Sequence, residues 1–465
     1  MCVVDDRSPR SFALVLGCIV AGIPVLPIPL HGASESISNL AELIDIRLVL
    51  TTPTAQGHME SNESNGRTRD YRIVAPICQD RDTAGFSLGH FAQVTADDVA
   101  YYIRTSGSTG APKLVPITHR NVNAWIEKYL PDLRLDSSSR FATSYALSFD
   151  AAFMLVFGTL VTGCTAVVPT RRERLFPISF CADNQLTHWA SVPSAMDYSA
   201  RVGEGSVIAD SVGLAIYGGE PVTARSADQI FRHFPIANLL NVYGPSECTI
   251  FCATREFSRH EIDKWRGSGS LPLDFPRYAW SINASERNHG SAGTLVLCDV
   301  CCFPGYVKRK GPSQIGSVES NVTDGSDNAR YRRDRSIGAV DTGDLIAYAD
   351  GGFVVLGRTD NQVKIRGQRI SLEYLESRIS SDLDLGAVGC SLISEGGETL
   401  YVVYESGLAR DVTASQVESV VNSNMPNGVE ISGVKRVSEI PVTNNGKIDR
   451  RALQKLCTIG REGID

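Results

Sequence analysis

The stretch Tyr101-Tyr-Ile-Arg-Thr-Ser-Gly-Ser-Thr-Gly-Ala-Pro-Lys113 decides how the rest of the chain is read. An apolar run enters a loop of hydroxyl residues and glycines that ends beside a lysine. Glycines let backbone approach a ligand closely, with N–H groups turned toward phosphate oxygens. The hydroxyls of Ser106, Ser108 and Thr109 add hydrogen bonds, and Lys113 adds positive charge. The G-x-x-x-x-G-K-[ST] spacing of a Walker loop is absent. By itself, a Ser/Thr/Gly loop of this kind reads as a plain turn.

Around this loop lies a chain of 465 residues, too long for one hydrophobic core, so two to four lobes are expected. Its apolar fraction of 43% and charged fraction of 21% are those of an ordinary globular protein. A net charge of −7 carries no electrostatic footprint for a nucleic-acid partner. The 12 cysteines are scattered, unlike those of a small disulfide scaffold, and are read as reduced thiols of a cytoplasmic protein. Their one cluster, Cys298-Asp-Val-Cys301-Cys302, has no second ligand pair at zinc spacing and is read as strand and turn. Residues 12–30 carry no charge and approach the length of a membrane span. Asp5 and Asp6 ahead of it, and Pro24, Pro27 and Pro29 within it, oppose both a span and a signal peptide. The spacing predicts a helix over 9–21, a turn at Gly22 and a buried strand over 23–28, with no association with a membrane.

Strand-like runs at 48–51, 99–103, 165–169, 214–217 and 239–242 alternate with amphipathic stretches such as 121–129 and 224–233. This alternation predicts α/β layers with largely parallel strands. Residues 57–70 and 308–336 read as polar surface loops. The texture changes near Asp360. Beyond it we expect a small α+β unit: a strand over 362–365, a helix over 372–379, strands over 387–393 and 401–404, a helix over 414–425, then a tail.

The loop string continues into His119-Arg120-Asn121, and further motifs follow in order: Ser148-Phe149-Asp150, Gly218-Gly219-Glu220, Asn241-Val-Tyr-Gly-Pro-Ser-Glu-Cys-Thr249, Asp341-Thr-Gly-Asp344, Gly357-Arg-Thr-Asp-Asn-Gln-Val-Lys-Ile-Arg-Gly-Gln-Arg369 and Asn445-Gly-Lys-Ile-Asp449. Together they resemble the signature of the adenylate-forming superfamily, which includes nonribosomal-peptide-synthetase adenylation domains, acyl- and aryl-CoA ligases and luciferases. The resemblance covers nearly the whole chain. It implies a large N-terminal lobe of stacked αβ sheets with a distorted barrel, residues 1–359, and a small mobile C-terminal α+β lid, residues 360–465.

The resemblance also implies roles. Thr105, Ser106, Gly107, Ser108, Thr109, Gly110 and Lys113 would hold the ATP phosphates. Gly218, Gly219, Glu220, Asn241, Tyr243 and Gly244 would flank adenine, with Tyr243 stacked on it and Asn241 at its edge. Asp344 would accept the ribose hydroxyls, with Arg358 on the ribose side. Glu247 would bind Mg²⁺, and Lys447 would bridge the substrate carboxylate and the α-phosphate. Thr109 is counted with these two among the catalytic groups. Asp360 would be the hinge about which the lid turns between two half-reactions. The plain alternatives are a turn cap for Asp344, a core aromatic for Tyr243 and a solvated tail lysine for Lys447.

Asp150 points to the substrate. In amino-acid adenylation domains an Asp at this place pairs with the substrate ammonium, which an aryl or fatty acid lacks; the alternative is an N-cap of a helix over 151–157. The other pocket positions by motif are Ala151, Met154, Ser191, Ala215, Tyr217, Val242, Ile250 and Phe251, none of them charged. They imply a neutral α- or β-amino acid of small to medium size. The chain is expected to be a stand-alone, monomeric enzyme that loads the phosphopantetheine thiol of a separate carrier protein. Acyl- or aryl-CoA ligation, and an inactive truncated homologue, are the alternatives. The chain begins almost on an early motif, so the N-terminal lobe is expected to lack its first strands. Arg277–Gly305 matches the usual sheet region poorly.

Overall fold

The computed structural model describes residues 1–30, 33–41, 43–61, 71–75, 93–106, 112–170, 172–201, 203–266, 270–275, 279–283, 292–307, 318–319, 338–349, 351–358, 362–365, 368–393, 399–405, 412–424, 431–443 and 448–458. The charge-free segment near the start is divided as its prolines require. Helix Pro9–Val20 is opened by Ser8, whose side chain accepts from the Ser11 N–H in a capping box, and it buries Phe12, Val15 and Cys18. No helix among the described residues is long and apolar enough to cross a membrane. The strand that follows is Leu26–Pro29, three residues later than expected. Ile23 cannot start it because its N–H closes the helix end on the Cys18 carbonyl at 2.9 Å. Leu26–Pro29 is the edge of a four-stranded parallel sheet, next to Cys2–Asp5, then Leu48–Leu50 and Arg72–Val74. An edge accommodates Pro27 and Pro29, which lack a donor.

A six-stranded sheet forms the centre, in the order Ala253–Phe257, Asn238–Tyr243, Leu214–Gly218, His188–Ser191, Arg140–Thr143, Thr165–Ala166. All neighbours are parallel except Ala253–Phe257, which closes one edge antiparallel. The strand expected over 165–169 thus shrinks to two residues at the other edge. Side chains alternate between two cores. Leu214 and Ile216 join Tyr101, Phe153 and Met154 on one face, while Ala215 and Tyr217 join Trp189, Phe231 and Phe257 on the other. Helix Ala224–His233, capped by Thr223, has the expected bounds and seals the second core with Ala227, Ile230 and Phe231.

The expectation of mostly parallel strands fails elsewhere. Val99–Ser106 and Pro112–Thr118 form an antiparallel hairpin. Ala279–Asn283, Ala292–Asp299, Gly338–Ala349 and Gly352–Arg358 form an antiparallel sheet, so the segment that matched its motif poorly is a sheet after all. Of the two expected loops, the first begins inside helix Pro53–Ser61, and the second contains strand Val318–Glu319, paired with Tyr306–Val307. Among the described residues every cysteine is buried and none is in a disulfide, and no group of three or more His, Cys, Asp or Glu side chains is placed to hold a metal.

The last hundred residues have a core of their own, built from Leu375, Ile379, Cys390, Val402, Val417 and Val421. Helices Leu372–Leu383 and Ala414–Asn424 pack with the three-stranded sheet Val388–Ile393, Thr399–Glu405, Ile431–Val437. The expected tail is in part a helix, Arg450–Thr458. Asp449 caps it, accepting from the N–H groups of Arg451 and Ala452 at 3.0 Å, and Leu453 and Cys457 form its buried stripe. Arg450 reaches back to Glu376, 8% exposed, with a bidentate pair, and donates to the Cys390 carbonyl at 2.7 Å. Removing one partner of such a pair strands the other's charge. Arg450→Met is therefore expected to lower stability by about 3 kcal/mol, and Glu376→Leu added to it to restore most of the loss. Urea unfolding of both variants checks this, and an unchanged midpoint in the single variant would contradict it.

Candidate nucleotide and substrate site

The motif residues gather where the parallel strands end. Gly218 ends one strand and leads into Gly219 and Glu220, Tyr243 ends its neighbour and leads into Gly244–Glu247, and Ser191 ends the strand on the other side. Carboxyl ends of parallel strands leave a crevice that ligands occupy. Two glycines there are required by backbone packing. A Cβ on Gly218 would lie 2.3 Å from the Val242 carbonyl oxygen, and one on Gly244 would lie 2.4 Å from the Phe251 Cα. Tyr145, which no motif singled out, ties the strand ends together by donating to the carbonyls of Ser191 at 2.7 Å and Gly218 at 2.9 Å. Glu220 is held by the Ser194 N–H and hydroxyl, at 3.1 and 3.0 Å.

On the nucleotide side, the Tyr243 hydroxyl donates to Asp344, which is 5% exposed. Burial, then the Asp344 charge, raises the Tyr243 phenol well above its ordinary value. Asp344 is aimed by its own backbone: its N–H donates to the Thr342 hydroxyl, which donates to the Leu295 carbonyl. Arg358 lies opposite Asp344 in the strand register. The structure thus brings three sequence candidates into one corner. Asn241 commits its amide donors to the carbonyls of Leu271 and Pro272, at 3.2 and 3.3 Å, which leaves its oxygen as the atom available to a ligand. In the hairpin, Thr105 stands opposite Lys113 and Ser106 opposite Pro112. Gly107, Ser108, Thr109 and Gly110 at the tip lie outside the described residues, as do Asp360 and Lys447.

Glu247 sits in the short turn Ser246–Cys248, whose geometry is fixed from both sides. Its carbonyl accepts from the Phe303 N–H at 2.7 Å, and Thr249 donates to the Cys301 carbonyl at 2.6 Å. Thr249 and Ile250 have φ of 59° and 67°, a left-handed conformation that β-branched residues avoid. Such strain collects at functional sites.

Asp150 is the unusual group. It is 7% exposed, and it opens a short turn, Asp150–Ala152, that precedes helix Phe153–Thr162. That helix has no side-chain cap, so the cap reading of Asp150 fails. One oxygen, Oδ1, accepts from the Ala151 N–H at 2.8 Å; the other, Oδ2, is buried with no hydrogen-bond partner. Burial pushes this carboxyl up to about 7, against the opposing pull of the Ser246 hydroxyl and nearby N–H groups. Met154, Val242 and Ile250 belong to the same core as Ala152 and Phe153, Ala151 packs against that core, and Phe251 is wedged edge-on between Trp125 and Tyr129. Ser191 shares a 2.8 Å hydrogen bond with Ser144. Ala215 and Tyr217 must be corrected: strand alternation turns both to the far core, and Ile216 and Gly218 stand in their place. A small cleft lies behind this region, between Arg7, Ser144, Leu155 and Arg174. Its guanidiniums brace its walls, Arg7 on the Ser144 carbonyl and Arg174 on those of Arg7 and Pro169.

Comparison with known proteins agrees with this geometry. The family described as AMP-binding enzyme matches residues 2–307. Malpinin synthetase of Mortierella alpina is 27% identical over 471 residues, covering 96% of this chain and 6% of that protein. Nonribosomal peptide synthetase TES of Alternaria alternata is 26% identical over 491 residues, covering 97% of this chain and 9% of its own length. The chain therefore spans less than a tenth of either relative. Among solved structures, ATP-bound MatB from Rhodopseudomonas palustris superposes with a TM-score of 0.74 at 18% identity, over 98% of this chain and 88% of that one, and so shares the fold.

Two outcomes follow from the site's geometry. Gly218→Ala is expected to cost about 2 to 4 kcal/mol in denaturant unfolding, because the clash is with backbone. Asp150 binds a proton in the folded protein between its ordinary value near 4 and about 7, where the unfolded chain has lost it. Its contribution is full at low pH and disappears as pH rises through about 7. Wild type should therefore lose up to about 4 kcal/mol relative to Asp150→Asn between pH 4 and pH 8. Parallel stability curves across that range would contradict this.

Proposed function

This chain belongs to the AMP-binding enzyme family, and from that premise we propose that it uses ATP to activate an amino acid as aminoacyl-AMP, then passes the aminoacyl group to the phosphopantetheine thiol of a carrier protein. The observation that carries the amino-acid reading is Asp150, a buried carboxyl with one oxygen unpartnered. A substrate ammonium supplies the missing charge and donors. A simple acyl or aryl acid would leave that oxygen unsatisfied, a cost of about 1 to 3 kcal/mol or more for a charged group. The similarity to peptide synthetases over 96–97% of this chain supports the same reading.

In the first step a substrate carboxylate oxygen attacks the α-phosphorus of ATP. The bond from that phosphorus to the bridging oxygen breaks, and pyrophosphate leaves with the electron pair. Two anions approach each other, so fixed donors and positive charge lower the barrier. Thr105 and Lys113, with the hydroxyl loop between them, would hold the β- and γ-phosphates. Asp344, already oriented by Thr342, would accept the ribose hydroxyls while Tyr243 faces the base. Mg²⁺ is bound by one or two carboxylates together with phosphate oxygens. The single Glu247, held in a rigid turn, suits that donor set and would place the charge beside the phosphates. Lys447 would neutralise carboxylate and α-phosphate together. Turning about Asp360, the small C-terminal unit would then withdraw Lys447 and admit the acceptor thiol. A cytoplasmic setting suits the buried free thiols.

Pyrophosphate exchange into ATP across a panel of amino acids tests this. The expected result is exchange that depends on a neutral amino acid, reduced about 100- to 1,000-fold by Lys447→Ala and strongly by Asp150→Ala. Thioester formation on free coenzyme A from an acid without an amino group, unaffected by Asp150→Ala, would refute the amino-acid reading.

A further inference from the structure

Asp150 is not alone in lacking a partner. The hydroxyl of Tyr101 is fully buried and has no hydrogen-bond partner. A buried polar atom left unpaired is costly and calls for an explanation. The Tyr101 ring lies flat on Phe153, with centroids 3.9 Å apart and planes 13° from parallel. Phe153 immediately follows the Asp150–Ala152 turn, so the stack sets the phenol against the segment that carries the carboxyl. Backbone bonds of its neighbours Ala100 and Tyr102 to Val25, and pairing with the opposing hairpin strand, hold Tyr101 in place. After burial, the Asp150 charge is the main influence on the Tyr101 phenol, which raises it well above its ordinary value. Tyr101 and Ile103 share the face toward the main core, and Thr105 is next in the same alternation. One strand therefore carries both the phosphate-side threonine and this hydroxyl.

We propose that Tyr101 is a specificity-determining residue of the amino-acid site, its hydroxyl oxygen accepting a second hydrogen bond from the substrate ammonium beside Asp150 Oδ2. The inference rests on the amino-acid reading and deepens it. An ammonium has three donors, and one carboxylate oxygen does not satisfy them. A phenol oxygen in a dry site is a neutral acceptor that adds no further buried charge. A substrate without the amino group strands two buried polar atoms instead of one, and sites that bury such groups reject the poorer ligand strongly.

The test is Tyr101→Phe, which keeps the ring stack. Tyr217→Phe serves as a control, since its hydroxyl is also buried and unpartnered but belongs to the far core. Steady-state exchange is measured with the amino acid that wild type prefers. Tyr101→Phe should raise the amino-acid KM about ten- to a hundredfold, as expected for a hydrogen bond to a charged group. Its kcat, its KM for ATP and its melting temperature should stay near wild type, and its preference over the deamino acid should narrow. Tyr217→Phe should leave the amino-acid KM unchanged. Exchange by wild type with an unaltered amino-acid KM in Tyr101→Phe overturns the inference while leaving the activity standing. So does a variant whose melting temperature and kcat fall with KM constant, since that is a structural role. No exchange by wild type with any amino acid overturns the activity and, with it, this inference.

Discussion

Burying the Asp150 carboxyl with one oxygen unpartnered costs free energy that the Ser246 hydroxyl and nearby N–H groups offset only in part, and the elements around it are fixed. The turn that carries it is followed by a helix rooted in the main core through Phe153, Met154 and Phe157. The strand ends nearby are stapled by Tyr145 and brought together at Gly218 and Gly244. The adjacent turn at Glu247 is strained at Thr249 and Ile250 and braced by Cys301 and Phe303. A relaxed loop would rotate and let water in. On the proposed reading this rigidity holds a desolvated carboxyl ready for a substrate cation, a preorganisation that raises both affinity and selectivity.

Glu376 is the informative contrast. Burial pushes it, like Asp150, up to about 7. Glu376 accepts a bidentate guanidinium and a backbone N–H, so its demand is met within the small C-terminal unit. The same displacement therefore has two meanings. Where a counter-charge is present, the pair fastens helix Arg450–Thr458, next in sequence after Lys447, to helix Leu372–Leu383. Where none is present, the site is open to a ligand. The hydrogen-bond partners separate the two cases; the titration behaviour does not.

Much of this was legible in the sequence because phosphate and ribose chemistry uses short, contiguous strings. The loop at 105–113, the Gly218–Glu220 and Tyr243–Glu247 turns and Asp344 are singled out by such strings, and the structure brings Tyr243 and Asp344 into contact. The pocket wall was less legible, since its positions are spread over a strand and a one-residue slip changes the face. Ala215 and Tyr217 were misread in this manner. Tyr145 and Tyr101 left no local signal, because their importance lies in contacts with residues far away in sequence. Helix Arg450–Thr458 did leave one, a capping Asp449 with Leu453 and Cys457 four residues apart, but it sat in what read as a tail.

If Asp150 awaits an ammonium, proton release on binding shows it most directly. Calorimetric titration of the amino acid that supports exchange, at pH 6 in two buffers of different ionisation enthalpy, reads the protons exchanged. If the carboxyl is largely protonated when empty and ionised when paired, close to one proton should leave per site at pH 6 and almost none at pH 8.5. Binding heats that are identical in both buffers at pH 6 would mean that the carboxyl is already ionised or takes no part, and the account of the site would fail.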